Sequence, residues 1–174
     1  MADNGNGEAA EINGEREPSD LKKAGIVAKL ETMAVPMDIR EFSRNEYNRL
    51  FPMGTVQTPI GEVKIGANQF DKLSKKDNGS RQMLIGAMRQ TLSDPIVIIK
   101  EQEDGREAHV YIKSFKKEGK PGLDTVMTVV VDIDNKKIAI STYKRRKREV
   151  GKKIKMAVVI VYVKDEGGDP TNRR

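Results

Sequence analysis

The sequence predicts an α+β domain, with N-terminal helices followed by a twisted antiparallel β-sheet meander, and three observations carry that prediction. Met83, Leu84, Ala87, Met88, Thr91 and Leu92 recur at i, i+1, i+4, i+5, i+8 and i+9, an apolar helical stripe that Asp94-Pro95 ends. From Ile96 onward the period switches to two, in β-branched or aromatic runs at 96–101, 108–115, 123–132, 137–143 and 156–163. Asp104-Gly105, Gly119 to Gly122 and Asp134-Asn135 separate those runs as hairpin signals. Helices first and strands after pack the helices on one face of a sheet.

Taken in order, residues 1–20 are rich in Gly, Asn, Glu and Ala and sum to a charge of −5, which predicts a disordered acidic tail. A helical segment over 21–54 follows. Leu21, Ala24, Val27, Ala28 and Leu30 give a weak helical face up to Pro36, and Asp38 is placed as N-cap of a short helix with Ile39, Phe42 and Leu50. Pro59-Ile60-Gly61 then marks a tight turn between two extended pieces within 56–65, because Pro presets φ and Gly tolerates what a β-carbon would not. Asn68 is expected to cap a turn of helix holding Phe70 and Leu73, and Ser80 to cap the strong helix. The main domain is placed at 55–165, with a basic insert at 144–155 and a disordered tail at 166–174. No fixed-period repeat is present.

Composition removes several classes of site. With 174 residues the chain can bury a core unaided, and with no cysteine it has no disulfide framework, thiol nucleophile or thiolate zinc site. A single histidine, His109, excludes a histidine-rich metal site, and no acidic cluster has magnesium-ligand spacing, so neither a metal nor a cofactor is expected. No apolar run approaches the roughly 18 residues of a membrane span, and the N-terminus lacks a secretory pattern, so a cytoplasmic protein without membrane contact is expected. Aromatic content is low, which leaves Phe70, Tyr111, Phe115, Tyr143 and Tyr162 as the few rings on which a base could stack.

The charge is local. Residues 144–155 carry a net +7 while the whole chain carries +6, so the remainder sums to −1. Lys144, Arg145, Arg146, Lys147, Arg148, Lys152 and Lys153 are therefore assigned to binding a polyanion, with a phosphodiester backbone as the commonest candidate.

Side chains alternate across a strand, so His109, Tyr111, Lys113 and Phe115 are expected on one face, with Ala108, Val110, Ile112 and Ser114 turned to the core. Lys137, Ala139, Ser141 and Tyr143 are expected to share a face in the same way. If both polar faces point one way, imidazole, ammonium, hydroxyl and phenol meet beside a cationic edge. Metal-independent RNA cleavage needs such a set: one group to take the 2′-hydroxyl proton, one to protonate the leaving 5′-oxygen, and cations or donors for the phosphate. Asp132, Asp134 and Lys136 are more simply a hairpin turn than a nuclease acid pair. No Gly-rich phosphate loop or nucleophile elbow is present.

Thr58-Pro59-Ile60-Gly61-Glu62-Val63-Lys64, Asn68-Gln69-Phe70, Thr91-Leu92-Ser93-Asp94-Pro95, Lys113-Ser114-Phe115 and Ile140-Ser141 arrive in an order that resembles a phage-associated family of the barnase/EndoU/colicin/RelE (BECR) nuclease superfold, over roughly residues 55–145. The resemblance implies helices followed by a sheet whose open face binds RNA, and cleavage that leaves a 2′,3′-cyclic phosphate. It casts Lys113 as phosphate stabiliser or proton donor, Ser141 as a phosphate hydrogen-bonder, and Arg81 as a matching basic position. Tyr143 stands where the resemblance leads one to expect a His, so that either His109 takes the acid–base role or the activity is weakened, although the Ser-x-Tyr spacing resembles the C-terminal element of EndoU nucleases.

The functional expectation is a metal-independent endoribonuclease of phage or toxin origin, with Lys113, Ser141, Tyr143 and His109 catalytic and RNA as partner. A toxin-like member would have an immunity or antitoxin protein as a second partner. The alternative is a non-catalytic nucleic-acid-binding or phage assembly accessory protein on the same scaffold.

Overall fold

The computed structural model describes residues 11–12, 15–39, 43–66, 68–75, 83–103 and 105–165. Two short strands, β1 (Glu11–Ile12) and β2 (Glu15–Arg16), pair with each other. Helix α1 (Asp20–Thr32) follows, capped by the Ser19 hydroxyl, which accepts from the Lys22 amide at 3.1 Å. Strand β3 (Val35–Pro36) leads to α2 (Arg44–Leu50), and then a hairpin of β4 (Thr55–Thr58) and β5 (Gly61–Ile65) precedes α3 (Gln69–Lys75) and α4 (Leu84–Ser93). The long strands are β6 (Val97–Glu103), β7 (Arg106–Lys116), β8 (Leu123–Ile133) and β9 (Lys136–Arg145). Helix α5 (Lys147–Met156) and strand β10 (Val159–Val163) complete the described chain.

The sheet runs in the order β10-β6-β7-β8-β9-β5-β4, with β3 beside the end of β7. Helices ahead of an antiparallel meander are therefore present, as the periodicity predicts, but the sheet is mixed because β5 lies parallel to β9. The basic segment is the second departure. It is not a loop: Val150, Gly151 and Ile154 give residues 147–156 an apolar stripe, and the resulting helix crosses the sheet so that β10 joins the far edge beside β6. The run expected from Met156 accordingly begins at Val159. At the N-terminal side, the short helix starts at Arg44 with Ser43 as its cap, accepting from the Glu46 amide at 3.1 Å, whereas the Asp38 amide donates to Gln90 Oε1 at 2.9 Å. Ser80 and Phe42 lie outside the described residues.

Helices cover both faces of the sheet, not one. On one face, α4 buries Leu84, Ile85, Ala87, Met88, Thr91 and Leu92, and Ile85, Met88 and Leu92 pack with Ile98, Tyr111, Val130 and Ala139 of the strands. On the other, Ile26 and Leu30 of α1 and Val150 and Ile154 of α5 cover Val97, Ile99, Val110, Ile112, Met127 and Val129. Each such aliphatic side chain contributes about 1.5–3 kcal/mol on burial, and strands buried on both faces need continuous apolar runs rather than clean alternation. Among the described residues no helix is long and apolar enough to cross a membrane.

Candidate active site and nucleic-acid interface

Strand register decides which polar groups meet. Lys100 of β6, His109 of β7 and Val130 of β8 stand in one row, followed by Ala139 of β9, and Asp132 faces Lys137 one step further on. These residues share the α4 face with Tyr111 and Lys113, because directly opposed residues in an antiparallel pair point the same way. The two-residue turn between β8 and β9 fixes this register: Asp134 and Asn135 both have positive φ, 52° and 66°, as a type I′ hairpin requires. The turn reading of this stretch is the one the structure shows.

His109 is 8% exposed, and among the described residues its ring has no hydrogen-bond partner. Burial holds its pKa below the ordinary imidazole value. The Glu107 and Asp132 carboxylates pull upward, and the Lys100 and Lys137 ammonium groups push down again. A neutral imidazole is thus ringed by two carboxylates and two ammonium groups drawn from four strands. Lys100 pairs with Glu107 at 3.3 Å. Behind them, the Tyr111 and Thr58 hydroxyl oxygens are 2.9 Å apart. The single Thr58 hydroxyl proton goes to the Gly61 carbonyl at 2.6 Å, so Tyr111 is the donor to Thr58, and the Thr-Pro-Ile-Gly turn is tied to the middle of the sheet. Burial, reinforced by Asp132, pushes the Tyr111 phenol up to about 12.

The His109 shift has a stability consequence. A base whose folded pKa is depressed leaves the unfolded chain binding more protons as pH falls through about 6.5, so folding weakens below that pH. Wild type is expected to lose more stability than His109→Gln between pH 7 and pH 5 in denaturant titrations. Equal losses would mean that His109 titrates alike in both states.

Lys113 and Ser141 do not meet, which corrects the expectation that their side chains converge. Val129 pairs with Ser141 but Val130 pairs with Ala139, so Ile140 is an extra residue in β9. That bulge reverses the alternation: Lys137 and Ala139 stay on the α4 face, while Ser141 and Tyr143 turn to the face of α1 and α5. The Gln69 side-chain amide supports the bulge, donating to the carbonyls of Ala139 at 3.3 Å and Ile140 at 3.1 Å.

Lys113 is 1% exposed rather than on a wet face, because α4 covers it. Its ammonium donates to the Asp94 carbonyl at 2.6 Å and the Asp94 carboxylate at 3.1 Å, while Lys164 reaches the same carboxylate at 2.7 Å. Burial lowers the Lys113 pKa and Asp94 partly restores it. Burial would raise the Asp94 pKa, but the hydrogen bonds from Lys164 and Lys113 outweigh it and leave that carboxyl below its ordinary range. Two of the sequence motifs, 91–95 and 113–115, therefore meet in one ion-paired cluster. Ser114 adds a hydrogen bond to the Leu30 carbonyl.

The basic residues form a separate surface. Lys144 ends β9 on the α4 face, Arg145 ends it on the other, and Arg146 precedes α5. Arg148 and Lys152 are exposed, Lys147 is ion-paired to Glu31, and Lys153 to Glu101 at 2.7 Å. Arg81 lies outside the described residues. Sequence reading missed Lys100, Glu107, Asp132 and Lys137 as neighbours of His109. The three hairpin turns joining β6 to β9 were the available signal, since together they set the registers that bring these positions to His109.

Among the described residues no group of three or more His, Cys, Asp or Glu side chains comes together as a metal-binding set. Neither the curated proteins nor the solved structures compared with this chain include a match. The family model described as phage-Barnase-EndoU-ColicinE5/D-RelE like nuclease2 matches residues 38–162. That span takes in α2 through α4, the basic helix α5 and most of β10, and so extends beyond residues 55–145, where the resembling motifs lie. The chain belongs to this family of BECR-type nucleases, whose substrates are nucleic acids.

Proposed function

We propose that the protein is a metal-independent endoribonuclease of phage or toxin origin that cleaves RNA by attack of the 2′-oxygen on the adjacent phosphate. The observation that supports this reading is the cluster of Lys100, His109, Asp132 and Lys137 drawn from two neighbouring rows across four strands, with a neutral imidazole at its centre. In the proposed reaction His109 takes the 2′-hydroxyl proton and, once protonated, returns a proton to the leaving 5′-oxygen. Lys100 and Lys137 offset the phosphate charge, and Asp132 favours the imidazolium that forms. Atoms balance: the 2′-oxygen to phosphorus bond forms, the phosphorus to 5′-oxygen bond breaks, and the ends are a 2′,3′-cyclic phosphate and a 5′-hydroxyl. Ser141 and Tyr143 act on substrate binding from the other face, and Lys113 acts by holding α4 and the sheet together.

The test is incubation of single-stranded RNA with the full chain in EDTA, beside a 2′-O-methyl strand of the same sequence. Cleavage of the first and survival of the second is the expected result. Cleavage of both would point to attack by water, and cleavage of neither would overturn the enzyme reading. Growth arrest on induced expression would accompany a toxin role.

A second reading, a nucleic-acid binder without cleavage, is favoured by one observation: Lys113 is committed to Asp94 and Ser141 lies on the opposite face, so the two motif residues cannot act on one phosphate. Both readings expect Lys144, Arg145, Arg146, Arg148 and Lys152 to hold the backbone. Each phosphate contact removed by a neutral substitution is expected to lower the salt slope of single-strand binding by about 0.7.

A further inference from the structure

The face that carries Ser141 ends in a group that the proposed chemistry does not use. The Arg145 guanidinium lies over the Tyr143 ring, 4.2 Å from its centroid. Tyr143 is partly buried against the core beneath α1 and α5, so Arg145 forms the outer layer of the stack. Arg145 is exposed, it donates to the Lys144 carbonyl at 3.3 Å, and among the described residues it has no carboxylate partner. Arg44 offers the contrast: it lies over Phe70 at 4.5 Å but is also paired with Asp71 at 3.1 Å. Of the other rings that could stack a base, Tyr111 and Phe115 are fully buried.

Arg145 lines a groove of 420 Å³ with Lys117, Asp124, Lys144, Arg146 and Lys147. Of the acids near it, Glu31 holds Lys147 and Glu149 accepts from the Arg146 amide at 3.4 Å, which leaves the half-buried Asp124 as one carboxylate in the lining against several cations. Lys117, Lys144 and Arg146 are left without carboxylate partners among the described residues, beside one exposed π-surface. The groove lies at the end of the sheet where β7 turns into β8. His109 lies some way along β7 on the α4 face, four residues or about 13 Å from Lys113, which is in register with Lys144 through Val126.

We propose that this groove is a single-stranded RNA subsite, separate from the His109 group, in which an unpaired base stacks on the outer face of Arg145 and its flanking phosphates lie against Lys117, Lys144 and Arg146. A guanidinium plane takes a base by its face, and in a duplex those faces are already stacked, so the subsite selects unpaired strands. The proposal shares the nucleic-acid substrate of the proposed function but does not require cleavage.

Fluorescence anisotropy with a labelled, short 2′-O-methyl oligonucleotide tests it on the full chain, since that probe is not consumed by 2′-oxygen attack. Arg145→Lys keeps the charge and loses the stack. It is expected to bind about tenfold more weakly than wild type with an unchanged salt slope, and the same sequence as a duplex is expected to bind wild type about tenfold more weakly than the single strand. Lys144→Gln should instead lower the slope by about 0.7. Arg145→Lys binding as tightly as wild type, or a duplex binding as tightly as the single strand, overturns the subsite. Cleavage of unmodified RNA is read in parallel. An Arg145→Lys defect without any cleavage by wild type supports the subsite and overturns the proposed enzyme; cleavage with no Arg145→Lys defect in binding overturns the subsite alone.

Discussion

His109→Gln is expected to reduce the rate of RNA cleavage by about 10²–10⁴-fold, the contribution of a positioned acid–base group, while the fold survives. Gln keeps much of the volume and removes the titrating nitrogen, and His109 makes no hydrogen bond among the described residues that the change would break. Lys100→Gln and Lys137→Gln should each lower cleavage by less, since in the proposed reaction each is one of two cations that offset the phosphate charge. The decisive pattern is the ranking. Because Ser141 is on the other face, Ser141→Ala is expected to fall well short of the His109→Gln defect, and a Ser141→Ala defect as large as that of His109→Gln would move the chemistry to the α1 and α5 face.

The second large effect concerns stability. Asp94→Ala is expected to destabilise the protein by about 3 kcal/mol, at the low end for breaking a buried ion pair because the Asp94 carboxylate is half exposed. It leaves the 1% exposed Lys113 ammonium with the Asp94 carbonyl as its remaining partner. Lys113→Met should cost no more than about 1 kcal/mol, since it replaces the buried cation with an apolar chain of similar length and Asp94 keeps Lys164. The double variant should therefore recover most of the stability lost in Asp94→Ala. Urea unfolding of the three proteins reads this directly, and Lys113→Met should still cleave RNA. Loss of cleavage in a stable Lys113→Met protein would restore the catalytic part that the sequence motif suggests for this lysine.

Much of the architecture was legible because local signals were strong. The apolar stripe from Leu84 to Leu92, the Pro59-Ile60-Gly61 turn and the Asp134-Asn135 turn each act through nearest neighbours and appear where their residues predict, whereas Met83 precedes the helix and is exposed. The basic segment was harder, because its charge hides a stripe of only Val150, Gly151 and Ile154 that means little until a sheet face is available to cover. The parallel pairing of β5 with β9, and the helix layers on both faces, are long-range events that no periodicity encodes.

The site was less legible than the fold, and for one main reason. Period-two reasoning across Lys137 to Tyr143 assumes an unbroken ladder, and a single extra residue at Ile140 turns Ser141 and Tyr143 to the opposite face. The bulge depends on Gln69, some seventy residues earlier, so inspection of the strand alone could not reveal it. His109 was identified as the only imidazole, but its neighbours Lys100 and Asp132 needed two hairpin registers to be combined. Alternation puts Lys113 opposite the core-facing residues of β7 but cannot show that its side is covered too, because the cover comes from α4 and the partner from the helix end at Asp94.

The proposed chemistry runs through the 2′-hydroxyl of RNA with His109 at the reacting atoms. Mass spectrometry of the fragments formed from a defined single-stranded RNA in EDTA tests it most directly. The expected products are 5′-fragments ending in a 2′,3′-cyclic phosphate and 3′-fragments beginning with a 5′-hydroxyl, absent from His109→Gln reactions. Fragments beginning with a 5′-phosphate, or unchanged products from the His109→Gln protein, would contradict it.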